Sequence, residues 1–362
     1  MILLLAYDVR RSGGVERLSL QVWAALRAGG HRVRLLETRQ LGSGGLGRWL
    51  GRGWFLLQLA WWLPQAAQVL SMHALLLKPL RMWDCLPLRP RHRRLCWLHG
   101  IEVWGRALDG VAADLSRCEG LAASSSFTAD QVRGSLPAAP PIQVIHPCAD
   151  LQLEAQPQPL PPSLRLLTVA RMAAAERYKG HDQILEALAL LRDRGELLPG
   201  LRWRVVGCGD DESRLKQRAV FLDLNGSIDW LGRLSDADLA DEYRQCSVVV
   251  MPSAFALLPD GRAQGEGFGI TYLEAAFACR PAIGARAGGQ CDLIRHGETG
   301  WLVGASAREL AEVLQQIQRD PSALETRGLQ ARAQALTQFS RSVQQARLLA
   351  WLAGPSASTT AD

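Results

Sequence analysis

Lysine is scarce in this chain. Of 41 basic residues only Lys78, Lys179 and Lys216 are lysines, leaving 38 arginines. Lys179, beside Gly180, is therefore a candidate for a position that needs a compact ammonium, with chance as the plainer explanation. No Cys-x-x-Cys pair occurs among the eight scattered cysteines. That argues against a zinc site or a disulfide framework and for reduced, buried thiols in a cytosolic protein. No Gly-x-Gly-x-x-Gly follows a strand, so a nicotinamide-dinucleotide fingerprint is absent. No apolar run approaches the roughly 20 residues of a membrane span. The start lacks a basic segment and a small-residue cleavage site, so Ile2-Leu3-Leu4-Leu5-Ala6 is expected to be a first strand rather than a signal peptide. No aromatic–basic pattern supports nucleic acid as a partner.

What is present suits two domains. The 362 residues are 48% hydrophobic and 21% charged, ordinary for a globular protein. The net charge of +6 and pI near 9.1 favour anionic partners. Short apolar runs at 2–7, 32–37, 68–71, 95–98, 120–124 and 142–145 alternate with helical segments, which predicts an α/β parallel sheet. Gln156-Pro157-Gln158-Pro159-Leu160-Pro161-Pro162 is a stiff linker, and a second α/β series follows with strands at 166–169, 203–206, 228–231 and 248–251. The expected division is 1–155, a linker at 156–163, and 164–338. A terminal helix at 339–352 is expected to pack back on the first domain, with a disordered tail at 353–362.

The richest stretch is Gly265-Glu266-Gly267-Phe268-Gly269-Ile270-Thr271-Tyr272-Leu273-Glu274. It follows the β-branched run Val248-Val249-Val250 and leads into an apolar helix. Strand, glycine-rich turn and helix together aim backbone N–H groups at an anion, usually phosphate. Glu266 stands at the mouth of the turn, and Glu274 is placed to accept bonds from vicinal hydroxyls such as those of a ribose. The plainer alternative is a surface turn with a solvated Glu266, although an acid inside so apolar a helix as Glu274 rarely goes unpaired. Weaker signals are the paired Gly13-Gly14 after the first strand and Gly207-Cys208-Gly209-Asp210 after a later one. His99, at the carboxyl end of a strand, lies where open α/β sheets bind ligands, though a lone histidine is more often structural.

Residues 42–63 stand apart. Trp49, Trp54, Trp61 and Trp62 share a short segment with Arg48 and Arg52. Tryptophan with arginine at 48–62 suits an anionic membrane interface, and a tryptophan-rich core helix explains it equally well. Arg81, Arg89, Arg91, Arg93 and Arg94 form a basic cluster that either faces anionic lipid or is simply solvated.

Taken together, the motifs resemble the retaining glycosyltransferases of family 4. The matching stretches are Ser12-Gly13-Gly14-Val15-Glu16-Arg17, His99-Gly100-Ile101-Glu102, Ser124-Ser125-Ser126-Phe127-Thr128 and Val169-Ala170-Arg171 with Lys179-Gly180. Further along are Val206-Gly207-Cys208-Gly209-Asp210, Glu266-Gly267-Phe268-Gly269, Glu274-Ala275, Gly288-Gly289 and Thr299-Gly300-Trp301-Leu302-Val303. His146-Pro147-Cys148-Ala149-Asp150 departs from the family's glycine turn. The resemblance implies a GT-B fold: two Rossmann-like domains facing across a cleft, with a UDP- or GDP-linked sugar as donor substrate and no metal or other cofactor. It implies that Arg171 and Lys179 neutralise the leaving diphosphate, with amides of Gly13, Gly14 and Gly269, Ile270, Thr271 as further donors. Gly207, Gly209, Gly267 and Phe268 complete the implied donor site. Glu274 would hold the ribose, Glu266 the sugar hydroxyls, and His99 would lie near the donor sugar. The acceptor expected is a glycan or lipid-linked precursor of an envelope or extracellular polysaccharide, met in the cytoplasm at the inner membrane face. The rivals are an epimerase or hydrolase of the same fold, and a non-catalytic scaffold at the membrane.

Overall fold

A computed structural model describes residues 1–10, 13–39, 44–84, 92–149, 151, 153 and 158–354. The expectations for Ser12, Arg89, Arg91, Asp150, 156–157 and 355–362 therefore lie outside the described residues. The chain divides into two compact units: residues 1–148 with 259–262 and 341–362, and residues 149–258 with 263–340. The division thus falls at Cys148/Ala149, ahead of the proline-rich stretch.

In the first unit, β1 (Ile2–Tyr7), α1 (Gly14–Ala28), β2 (Val33–Thr38) and α2 (Gly44–Trp62) lead to β3 (Gln68–Ser71) and α3 (Leu80–Asp84). Next come β4 (Arg93–Leu98), α4 (Ala112–Leu115), β5 (Gly120–Ala123), α5 (Ser126–Ser135) and β6 (Ile142–Val144). The six strands are parallel in the order β2-β1-β3-β4-β5-β6. Leu4 stands between Leu35 and Leu70 on the neighbouring strands, and because successive side chains of β1 point to opposite faces, the burial of its unbroken apolar run shows both faces covered. Leu3, Leu4 and Leu5 are wholly buried, each contributing roughly 2 kcal/mol of hydrophobic stabilisation.

In the second unit, β7 (Arg165–Val169), α6 (His181–Asp193), β8 (Arg202–Val206), α7 (Glu212–Phe221), β9 (Ile228–Gly232), α8 (Asp236–Gln245) and β10 (Val248–Val250) run in sequence. The short hairpin β11 (Ala256–Leu257) and β12 (Ala263–Gln264) precedes α9 (Ile270–Phe277), β13 (Ala282–Ala285), β14 (Gly300–Val303), α10 (Ala307–Arg319) and α11 (Ser322–Gln338). This sheet is also parallel, in the order β14-β13-β10-β7-β8-β9. Ser235 caps α8 and Ser306 caps α10, each accepting a backbone N–H at 3.2 Å. The last helix, α12 (Arg341–Ala353), belongs to the first unit. Leu348, Trp351 and Leu352 are buried there, with Trp351 edge-on to Trp97.

Both sheets reverse direction once. The first turns back between β1 and β3, the second between β7 and β10. In open parallel sheets the carboxyl ends flanking such a reversal form the crevice where ligands bind.

Several expectations need correction. Leu20 of α1 is exposed although apolar. Of the two readings of α2, the core one does not hold for Trp49, Trp54 and Trp61, which face outward, while Trp62 is half-buried with Arg34 over its ring. The basic cluster is engaged within the fold: Arg81 pairs with Asp114, Arg94 with Asp84, and Arg93 donates to the carbonyls of Trp351 and Leu352. These arginines are committed to tying chain segments together. Of the described cysteines, Cys96, Cys118, Cys148, Cys246 and Cys279 are buried as expected, but Cys208 is exposed.

Candidate active site

The reversal between β7 and β10 gathers charge. Two residues beyond β7 is Arg171, and the loop that follows ends at Lys179-Gly180, where α6 begins. Gly180 has φ +89°, and a Cβ there would lie 2.7 Å from the Pro252 ring just after β10. Glycine thus lets the lysine loop lie against the end of the neighbouring strand, and the Ala254 N–H fastens it by donating to the Tyr178 carbonyl at 2.9 Å. Lys179 Nζ then donates to Glu266 Oε2 at 2.6 Å, both side chains being about 15% exposed (15% and 13%). Burial pulls the lysine pKa down, but Glu266, with Tyr178 and Glu176, outweighs it and raises the value. The ammonium is therefore charged and held in place.

Glu266 is held from the other side. Gly289 donates its N–H to the Glu266 carbonyl at 2.8 Å, and a Cβ on Gly289 would fall 2.1 Å from the Gly267 carbonyl oxygen. Gly269, left-handed at φ +94°, turns the chain into α9, and Thr271 Oγ1 donates to the Val169 carbonyl at 3.2 Å. The first turn of α9 is thereby fixed at the carboxyl end of β7. Arg171 reaches into solvent with a 76% exposed side chain, paired with Glu176. The half-buried Tyr178 phenol registers the whole group: burial raises its pKa most, Lys179 and Arg171 lower it, and Glu266 and Glu176 raise it.

Other expected donor residues have different tasks. Gly207 and Gly209 face the loop after β7; a Cβ on either would come within 2.1 Å of the Ala170 or Met172 carbonyl oxygen. They let the Arg171 loop lie on the turn after β8, where Met172 donates its N–H to Cys208 and Asp211 donates its own to Met172. The Phe268 ring is buried against Phe339, so it is the backbone of Phe268 that belongs to the glycine turn. Glu274 is buried with a protein partner, the Tyr243 hydroxyl donating to Oε2 at 2.7 Å. The chain's Asp236-Ala237-Asp238 opens α8 under the Ser235 cap.

Gly13, Gly14 and His99 lie in the first unit, at the carboxyl ends of β1 and β4. Gly13 precedes α1, and the Glu16 carboxylate lies so near that a Cβ on Gly13 would be 2.2 Å from Oε2. An internal acid thus occupies that helix start. His99 Nε2 donates to the Met72 carbonyl at 2.6 Å, and Nδ1 faces Ser124 Oγ at 3.4 Å, itself receiving the Trp97 indole N–H. With both ring nitrogens engaged, the His99 ring is held in one orientation.

Two residues beside it were not anticipated. His73 follows β3, with its ring stacked 6.2 Å from that of His99, and Tyr7 ends β1 with its hydroxyl 3.4 Å from His73 Nδ1. Burial, opposed by Glu102 and reinforced by His99, lowers the His73 pKa to about 4, so its ring is neutral near pH 7. The rule that singled out His99, a polar residue where a parallel strand ends, also fits Tyr7 and His73. Only the strand order shows that these two flank the reversal.

Comparison with known proteins agrees with this arrangement. A family model described as glycosyl transferases group 1 matches residues 154–334. A D-inositol 3-phosphate glycosyltransferase of Pseudarthrobacter chlorophenolicus is 31% identical over 165 residues, 45% of this chain and 36% of that protein. The chain thus matches little more than a third of that relative's length. Among solved structures, sucrose-phosphate synthase of Thermosynechococcus elongatus has a TM-score of 0.79 at 18% identity, covering 97% of this chain and 98% of that one. Anabaena HepE, in complex with UDP and glucose, has a TM-score of 0.73 at 18% identity, covering 97% and 99%.

Proposed function

This chain belongs to the group 1 glycosyl transferases and has the GT-B fold, and on that premise we propose that it is a retaining family 4 enzyme. It moves a hexose from a UDP- or GDP-linked donor to an acceptor hydroxyl on a glycan or lipid-linked precursor, without a metal. The carrying observation is the Lys179–Glu266 pair at the β7/β10 reversal, with Arg171 on the same loop. A fixed ammonium and an extended guanidinium suit a leaving diphosphate, whose charge grows as its bond to the sugar breaks. HepE, solved with UDP and glucose, makes a uridine donor the first to try.

In the reaction we propose, the bond between the anomeric carbon and the phosphate oxygen breaks, and its electron pair leaves with the diphosphate. The acceptor oxygen bonds the same face of the oxocarbenium-like carbon, and its proton passes to the departing phosphate oxygen. Lys179 and Arg171 stabilise the departing group, amides from Gly269 to Thr271 add donors, Glu266 orients sugar hydroxyls, and Glu274 holds the ribose. No pair of carboxylates with glycosidase spacing is required. Glu266 bonded to an ammonium is a weak nucleophile, which favours this route over a covalent glycosyl–enzyme.

The test is a thermal-shift screen with UDP, GDP, ADP and their sugar conjugates, with and without EDTA, followed by turnover. A shift with one nucleotide, unaffected by EDTA and lost in Arg171→Ala, supports the reading. No shift with any nucleotide overturns it in favour of a scaffold, and turnover of donor without acceptor points to a hydrolase or epimerase. Trapping a sugar adduct on Glu266 would replace the front-face route by double displacement.

A further inference from the structure

Helix α2 is apolar almost all the way round, a pattern that belongs to helices covered on every side. One side is covered, with Phe55 and Leu59 buried. The opposite side is bare: Trp49 is 77% exposed, Trp54 50%, Leu57 66% and Trp61 70%. An apolar face of this kind on a helix about 28 Å long marks an interaction surface.

Charge indicates what covers it. Residues 39–83 contain five basic residues (Arg39, Arg48, Arg52, Lys78 and Arg81) and no acid, so this stretch alone carries +5 of the chain's net +6. Arg39 and Arg81 are answered by Glu37 and Asp114, while Arg52 and Lys78 are exposed. A second copy would set the same positive stretch against itself, which disfavours self-association. Indoles beside cationic side chains match the headgroup zone of an anionic bilayer. No helix among the described residues is long and apolar enough to cross a membrane, so α2 would lie in the plane of the surface.

We propose that the outward face of α2, through Trp49, Trp54, Leu57 and Trp61 with Arg52 at its edge, docks on an anionic lipid surface. This goes beyond the transfer reaction and does not depend on it.

The experiment is co-sedimentation of the full chain with vesicles of phosphatidylcholine alone or mixed with phosphatidylglycerol, at low and high salt. The chain should pellet with the anionic vesicles at low salt and stay in solution with the neutral ones. Replacing Trp49, Trp54 and Trp61 together by alanine should weaken binding roughly tenfold or more. Arg52→Ala, which leaves the apolar face intact, should weaken it about fivefold, the factor for one charge at an anionic surface. Neither variant should change the nucleotide-induced thermal shift, so failure here is separable from failure of the transferase reading. Equal pelleting with both vesicle types, or none, overturns the proposal. So does a wild-type dimer in light scattering that the triple variant converts to monomer, which would assign the face to a second copy.

Discussion

The two sheet reversals share a topology and differ in chemistry. At β7/β10 the second unit gathers full charges, with Lys179 locked to Glu266 and Arg171 held by Glu176 on the same loop. At β1/β3 the first unit gathers hydrogen-bonding groups: Tyr7, a neutral His73, and His99 with its ring nitrogens already engaged. A parallel sheet therefore supplies the position of a site, and the loops supply its character. The charged end suits a diphosphate, and the polar end suits hydroxyls.

The sharpest way to break the contrast is Lys179→Ala. It leaves Glu266 largely buried without its ammonium, and we expect a loss of about 3 kcal/mol in stability. Transfer should fall roughly a hundredfold to a thousandfold. Combining Lys179→Met with Glu266→Leu should restore the denaturation midpoint and leave transfer lost. If transfer returned with stability, the pair would be structural only.

Next in size is Gly207→Ala. Its φ of +132° and the carbonyl of Ala170 leave no room for a Cβ, so strain of about 2 kcal/mol or more is expected. Because the strain falls on the loop carrying Arg171, nucleotide affinity should drop alongside the melting temperature. Unchanged affinity in a destabilised variant would detach this glycine from the site.

A third comparison uses pH, because each unit holds a neutral histidine. Burial lowers both His73 and His181 from 6.5 to about 4. For His73, Glu102 opposes and His99 assists; for His181, Asp182 and Asp211 oppose while Lys179 and Arg214 assist. Each ring stays neutral in the folded chain and binds a proton near pH 6.5 once unfolded. The unfolded chain thus takes up more protons, and stability falls as pH drops from 6.5 towards 4. Urea midpoints across that window should show the decline, and His73→Gln or His181→Gln should each flatten it. A slope unaltered in both variants would place its origin elsewhere.

The smallest effect expected is from Glu176→Gln, which releases Arg171 from an exposed pair. Nucleotide binding, followed by calorimetry, should tighten roughly threefold. Weaker binding would mean that Glu176 positions the arginine rather than competing with the ligand.

Much of this protein was legible from its residues in order. Apolar runs bounded by glycine and proline mark where strands and helices lie, and the terminal helix, expected at 339–352, is found at 341–353. Lys179, Glu266 and the glycine turn were visible because strand, glycine and charge are neighbours along the chain, whereas Arg171 was picked out through the family resemblance. His73 and Tyr7 were not, since their importance depends on β1 lying next to β3.

The sequence by itself determined local conformation and residue chemistry, because periodicity and left-handed glycines act over a few residues. Only the tertiary structure decided partners. It joined Lys179 to Glu266 across 87 positions and Tyr243 to Glu274 across 31. It also turned Phe268 into the core and left Trp49, Trp54 and Trp61 of α2 outside. An apolar or charged pattern states which groups need a partner. Which partner they meet depends on strand order and on the helix face left uncovered, and both are set by contacts distant in sequence.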